Sequence, residues 1–361
     1  MSIPPRGLRR YCEMKGSIGR TIFALGALAV GGVAAALLIG EVAARLLWSA
    51  PVTVLPAAPR PSGLVELNSI FQLATPGIEG IHKGVYYRTN SAGFRGPEYD
   101  LRPAPGVFRI VVVGDSFVMG EGVLEEEAYP AVLEDLLNDL AGGQRYEVLN
   151  LGLSGLNINH VVERLKTLGL SFHPDLIVYG LTSNDIEVKG YRTTISGETI
   201  QAQRDRYAAF SDSRSYLLRL LWPRWVSLRT GLNPPVGTYM YEVFDNYLHN
   251  PKVWANFVSG FDRLADIQRE TGIPIVVFIH PILAYLRAFH PFDEVYGVVE
   301  AAAEARGLRV IQGYPSVVGR RAEALWISPA NPHPNVQAHR LFAQRLRDGL
   351  LAMPDVVPAA Q

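Results

Sequence analysis

The side chains of this sequence best suited to nucleophilic chemistry are the hydroxyl of Ser116 and the imidazole of His333. The stretch Arg109-Ile-Val-Val-Val-Gly-Asp-Ser116 is an apolar run of strand type that ends abruptly in Gly114-Asp115-Ser116. An amphipathic stretch with helical spacing follows, roughly Tyr129 to Leu140. This order puts the Ser116 hydroxyl at the carboxyl end of a buried strand, close to a helix N-terminus. Ligands collect at such places in open α/β sheets, and backbone N–H groups there can hold an anion. With a base in reach, a serine so placed is a candidate nucleophile; without one it is a turn serine capping a helix.

Three further blocks bear on that choice. Tyr146-Glu-Val-Leu-Asn-Leu-Gly-Leu-Ser-Gly155 reads as a short strand running into a glycine-bearing turn. Pro174-Asp-Leu-Ile-Val-Tyr-Gly-Leu-Thr-Ser-Asn184-Asp185 reads as a strand with a polar tip, and Asn331-Pro-His333-Pro-Asn335 precedes a helical segment. In this order the blocks resemble the SGNH (GDSL) hydrolase superfamily over about residues 84 to 352. Asn90-Ser-Ala-Gly-Phe-Arg95 and Phe108-Arg109-Ile110 look like a membrane-attached, extracytoplasmic branch of it. The resemblance implies Ser116 as nucleophile and His333 as base. It also implies an oxyanion hole formed by the Ser116 and Gly155 backbone N–H groups and the Asn184 side chain.

The implied chemistry is attack of Ser116 on an acyl or acetyl ester of a glycan, a lipid or a small alcohol. Two alternatives stand beside hydrolysis: transfer of the acyl group to a surface polysaccharide, and a catalytically silent glycan-binding protein with the same fold. The sequence departs from the family just before the histidine. Relatives commonly carry an aspartate two or three residues upstream, where this chain has Ala330 and Asn331. In well-studied serine triads an asparagine in place of that aspartate costs ~10⁴ in rate. Either Asn331 or a backbone carbonyl orients the ring, or a carboxylate such as Asp185 or Asp293 arrives from elsewhere, or activity is weak or lost.

Asp115 and His280 are further candidates for pocket contact, with His280 alternatively a strand cap, while His339 reads as structural. A metal set of His280, His333 and an aspartate lacks tight ligand spacing, so no metal and no cofactor is expected. Gly152-Leu-Ser154-Gly155 falls one residue short of a Gly-x-Ser-x-Gly elbow, and no dinucleotide fingerprint follows a strand.

To position these residues the chain must supply alternating strands and helices. Strands are expected near 109–113, 146–150, 175–180, 273–279 and 308–311, and helices near 127–140, 157–168, 253–271, 293–306 and 335–351. The fold class is α/β: a flavodoxin-like three-layer α/β/α sandwich with a central parallel five-stranded sheet of order 2-1-3-4-5. In that order the first and third strands are neighbours, which brings Ser116 and Asn184 together.

At the N-terminus, Thr21 to Gly40 carries no charge, and a helix of that length spans roughly 30 Å. Arg6, Arg9, Arg10, Lys15 and Arg20 precede it, which predicts a cytoplasmic N-terminus and an exported body. A cleaved signal peptide is the competing reading. The expected organisation is a basic tail over 1–20, a membrane helix over 21–48, a Pro-rich linker over 49–62 and an extension over 63–106 packed on the core. A hydrolase-like domain follows over 107–353, with an aromatic-rich insertion at about 186–250 that reads as a lid, a membrane contact or ordinary core. The formal net charge is +0 over 361 residues, with no basic stripe outside the N-terminus, which argues against nucleic acid as a partner. One cysteine, Cys12, excludes an intrachain disulfide. Oligomeric state is not legible.

Overall fold

The three central strands of a five-stranded parallel sheet are buried on both faces, the environment that favours continuous Val/Ile/Leu runs over alternation. A computed structural model of the chain describes residues 6–47, 64–67, 69–140, 144–187, 213–222, 225, 239–328 and 331–357. A short antiparallel hairpin comes first, β1 (Glu79–His82) and β2 (Val85–Arg88). The sheet is built from β3 (Val107–Gly114), β4 (Arg145–Asn150), β5 (Leu176–Leu181), β6 (Ile275–Ile279) and β7 (Arg309–Gln312). Its strand order is β4-β3-β5-β6-β7, the expected flavodoxin-like sequence of neighbours. A second hairpin, β8 (Trp326–Ser328) and β9 (Asn331–Pro334), is not anticipated by the sequence pattern.

The helices, in chain order, are α1 (Arg6–Leu47), α2 (Ile70–Leu73), α3 (Ser116–Met119), α4 (Tyr129–Asn138) and α5 (Ile158–Thr167). They continue with α6 (Tyr239–Leu248), α7 (Pro251–Thr271), α8 (Asp293–Glu304) and α9 (Val336–Leu351). The period-2 geometry of β3 splits its side chains between two cores. Val111 and Val113 join Val161, Phe257, Phe261 and Val299 of α5, α7 and α8. Ile110 and Val112 join Leu133, Phe342 and Leu346 of α4 and α9. The result is three layers.

Buried arginines fix the strand ends. Arg109, 1% exposed, donates to Glu147 at 2.6 Å and to the carbonyls of Asp100, Leu101 and Phe172. It thereby ties the start of β3 to β4 and to the segment before β5.

The chain divides into two compact units: 1–50 with 209–225, and 51–208 with 226–361. In the first, Phe23–Leu46 of α1 is long and apolar enough to cross a membrane. Glu41 of the same helix accepts hydrogen bonds from the Ser215 hydroxyl at 2.7 Å and from the Tyr216 and Leu217 N–H groups at 2.9 and 3.0 Å. It so caps the helical residues 216–222 from outside their own sequence. The Arg45 guanidinium lies 5.0 Å from the Tyr216 ring centroid.

Residues 213–222 belong with α1, whereas α6 is ordinary core, its Val243 and Tyr247 buried among Phe257 and Phe261 of α7. The linker over 49–62 and residues 188–212 and 226–238 lie outside the described residues.

Candidate active site

Ser116 opens α3 directly after β3, and the Asp115 carboxylate caps that turn by accepting from Phe117 N–H at 2.9 Å. Across 217 positions of sequence, His333 Nε2 lies 3.0 Å from Ser116 Oγ. The imidazole stands on β9, with its Nδ1 2.6 Å from Asn331 Oδ1. An amide oxygen only accepts, so Nδ1 carries the hydrogen and Nε2 is left as the acceptor for the Ser116 hydroxyl. The same Asn331 oxygen also accepts from His333 N–H at 3.3 Å.

Neither proposed distant carboxylate takes the place of the absent aspartate. Asp185 accepts from the Tyr179 hydroxyl at 2.7 Å and from Thr182 N–H at 3.0 Å, and Asp293 accepts from His290 N–H at 2.9 Å.

A cavity of about 400 Å³ opens over this pair. Ser116, His333, Gly155 and Asn184 all line it, so the predicted site residues meet in one place. Gly155 turns with φ +77°, a left-handed conformation that favours glycine. Nearby Gly152 is required by contact instead: a Cβ there would collide with the backbone of Val118 and Met119, so the loop after β4 could not close on the serine turn. Asn184 is anchored through its Oδ1, 2.7 Å from the Thr182 hydroxyl, and its side chain also hydrogen-bonds Asp115. Asp115, also expected as a pocket contact, does not line the cavity: it is 1% exposed, and its Oδ2 lies 2.8 Å from the Thr182 hydroxyl, whose one hydrogen it shares with Asn184 Oδ1. Burial pushes the Asp115 and Asp185 carboxyls up, Asp185 the further because Asp115 is its neighbour.

Three cavity residues carry no signal in the sequence. His82 ends β1, Glu121 follows α3, and Ser154 precedes Gly155. The Glu121 carboxylate lies 3.9 Å from His333 Nε2 and accepts from the Ser154 hydroxyl at 2.7 Å. Burial pushes its carboxyl up, but the His82 ring, the His333 charge and the Ser154 hydroxyl bring it down to about 2. The loop that carries it is pinned by Arg95, 2% exposed, whose guanidinium donates to the carbonyls of Met119, Gly120 and Val123 at 2.9–3.0 Å. The Asn90-to-Arg95 segment thus has a structural role, holding the turn after the serine.

His280 is a correction. Expected as a pocket contact, it is enclosed by Phe117, Tyr129, Phe278 and Phe342 and does not line the cavity. The strand end it occupies points into the packing between β6 and α9, and its Nδ1 bonds the Leu181 carbonyl at 3.2 Å. His339 is likewise buried, stacked on Tyr129. Burial lowers both imidazoles to about 3 from 6.5.

An acid response follows, with its sign fixed. The unfolded chain binds protons below pH 6.5 that the folded chain refuses, so stability falls as pH drops from 6.5 towards 3. At pH 5 the loss is about 2 kcal/mol per histidine. Urea unfolding at pH 7 and pH 5 checks this; His339→Gln should flatten the dependence.

No family model matches the chain, and no curated protein matches it. Among solved structures, similarity is found to three proteins that illustrate the set. A lipolytic protein of the G-D-S-L family from Desulfitobacterium hafniense DCB-2 is 13% identical, with 66% of this chain and 98% of that one covered at a TM-score of 0.38. A lipase/acylhydrolase from Enterococcus faecalis is 14% identical, with 68% and 96% covered at a TM-score of 0.40. A catalytic mutant of an acetylxylan esterase from Geobacillus stearothermophilus is 15% identical, with 66% and 92% covered at a TM-score of 0.39.

Proposed function

We propose that this chain is a serine ester hydrolase of SGNH type, with Ser116 as nucleophile and His333 as general base. The observation that carries the reading is the 3.0 Å contact between Ser116 Oγ and His333 Nε2, with the Nδ1 hydrogen held by Asn331. Ser116 Oγ attacks the ester carbonyl as its proton passes to Nε2. The tetrahedral oxyanion is held by the Ser116 and Gly155 N–H groups and the Asn184 amide. Nε2–H then protonates the leaving alcohol, the C–O bond breaks, and Ser116 carries the acyl group. Water, deprotonated by His333, attacks that ester; the acid leaves and the serine regains its proton. A positioned base of this kind supplies about 10²- to 10⁴-fold. The test is turnover of p-nitrophenyl acetate by the detergent-solubilised chain, together with serine labelling by a fluorophosphonate. Absence of both would remove the hydrolytic reading.

The hydrolase-like part is assigned to 107–353, and α1 to an uncleaved membrane anchor that leaves that part outside the cytoplasm. Support comes from the apolar span Phe23–Leu46 and from the basic residues that precede it. Cys12, the only cysteine, reports the topology directly. In intact cells a membrane-impermeant maleimide should leave it unlabelled, and permeabilisation should expose it. Labelling without permeabilisation would reverse the orientation.

A further inference from the structure

The cavity lining includes polar groups that ester cleavage itself does not require. His82 is 5% exposed and Glu121 6% exposed, yet both face the cavity. His82 Nδ1 lies 2.7 Å from the Leu67 carbonyl oxygen, so Nδ1 carries a hydrogen. Its Nε2 is fully buried and makes no hydrogen bond among the described residues, standing 3.7 Å from Glu121 Oε2, too far to bond it. A buried ring nitrogen left unpaired is unfavourable, so a group that can hydrogen-bond it is bound preferentially there.

A hydroxyl group meets both sides of the gap. With Nε2 bare, its hydrogen is shared between two acceptors; with Nε2 protonated, it accepts from the ring and donates to the carboxylate. The other Glu121 oxygen, Oε1, lies 3.9 Å from His333 Nε2, the atom that hands its proton to the departing alcohol. A hydroxyl bound by Glu121 therefore sits beside the leaving oxygen, as the neighbouring hydroxyl of a diol does. Lys83 also lines the cavity, while Ile70 and Leu73 give it an apolar side.

We propose that His82 and Glu121 form a hydroxyl-binding subsite that reads a free hydroxyl next to the ester, which makes the substrate a partial ester of a polyol. This rests on the esterase reading above and narrows it. The chemistry is shared by a sugar unit of a glycan and by a glycerol ester, and the two sources separate on assay. Ser154, by donating to Glu121, orients the carboxylate.

The test compares kcat and KM of the full chain in detergent on four esters. These are a mono-O-acetylated hexose, the same hexose fully acetylated, glycerol monoacetate and glycerol triacetate, with p-nitrophenyl acetate as reference. The wild type should prefer the hydroxyl-bearing member of at least one pair by about tenfold or more in kcat/KM, below the ~10⁴ that a fully enclosed hydroxyl site reaches. The pair that shows the preference names the source. In Glu121→Gln and in His82→Phe the ratio should collapse towards one, mainly through KM, with fluorophosphonate labelling of Ser116 as the check that the site is intact. Turnover without preference in either pair, or a preference that survives in both labelled variants, overturns the subsite alone. Absence of any Ser116-dependent turnover overturns the esterase reading and the subsite with it.

Discussion

Alanine at position 116 should lower kcat/KM for p-nitrophenyl acetate by at least about 10⁴-fold and abolish fluorophosphonate labelling. The reasoning is local. Ser116→Ala removes the oxygen that attacks but keeps the backbone N–H assigned to the oxyanion. The cap from Asp115 to Phe117 N–H does not involve the hydroxyl, so the turn persists. What remains is the background that donors and binding supply without a nucleophile. A variant that retains a tenth of the activity would show that another group attacks. Circular dichroism identical to the parent separates lost chemistry from lost structure.

The second large effect concerns Asn331, and it runs in two directions. Asn331→Ala deletes the acceptor 2.6 Å from His333 Nδ1, frees the ring to adopt the wrong tautomer, and should cost about 10²- to 10⁴-fold in kcat. Asn331→Asp keeps an acceptor in the same place and adds a negative charge opposite the imidazolium that forms during attack. Charge-assisted bonds are roughly twice as strong as neutral ones, so a gain of about 1–2 kcal/mol, near tenfold in kcat, is expected. Steady-state kinetics of both variants decide the matter. Unchanged kcat in the alanine variant would mean that the ring is held by something else.

Much of the sheet was legible because burial on both faces leaves a mark in composition. The run Ile110 to Val113 announces a central strand, and its abrupt end at Gly114-Asp115-Ser116 marks the turn where chemistry collects. The 2-1-3-4-5 order then follows from alternation with helices, and with it the meeting of Ser116 and Asn184. His333 was legible only through its short motif. The β8–β9 hairpin that carries it is too brief for periodicity, with strands of three and four residues.

His82, Glu121 and Ser154 were invisible for a different reason. Each is a lone polar residue in a turn or at a strand end, and only the close approach of three separate segments turns them into neighbours. His280 misled because a histidine at a strand's carboxyl end sits where ligands bind, yet its imidazole turns into a cluster of aromatics. The aromatic-rich composition around residues 216–222 announces apolar surface to be covered but not the surface it meets.

The Glu41 cap bears on what a shed form of this protein would be. A peptidase cut after Glu41 would take away the acceptor that the Ser215 hydroxyl and the Tyr216 and Leu217 amides share. Loss of such a cap typically destabilises a turn by about 0.5–2 kcal/mol. A body released by such a cut would present a loosened turn beside Arg214 and Arg219 to trypsin-like nicking, whereas a cut before Glu41 would leave the cap in place.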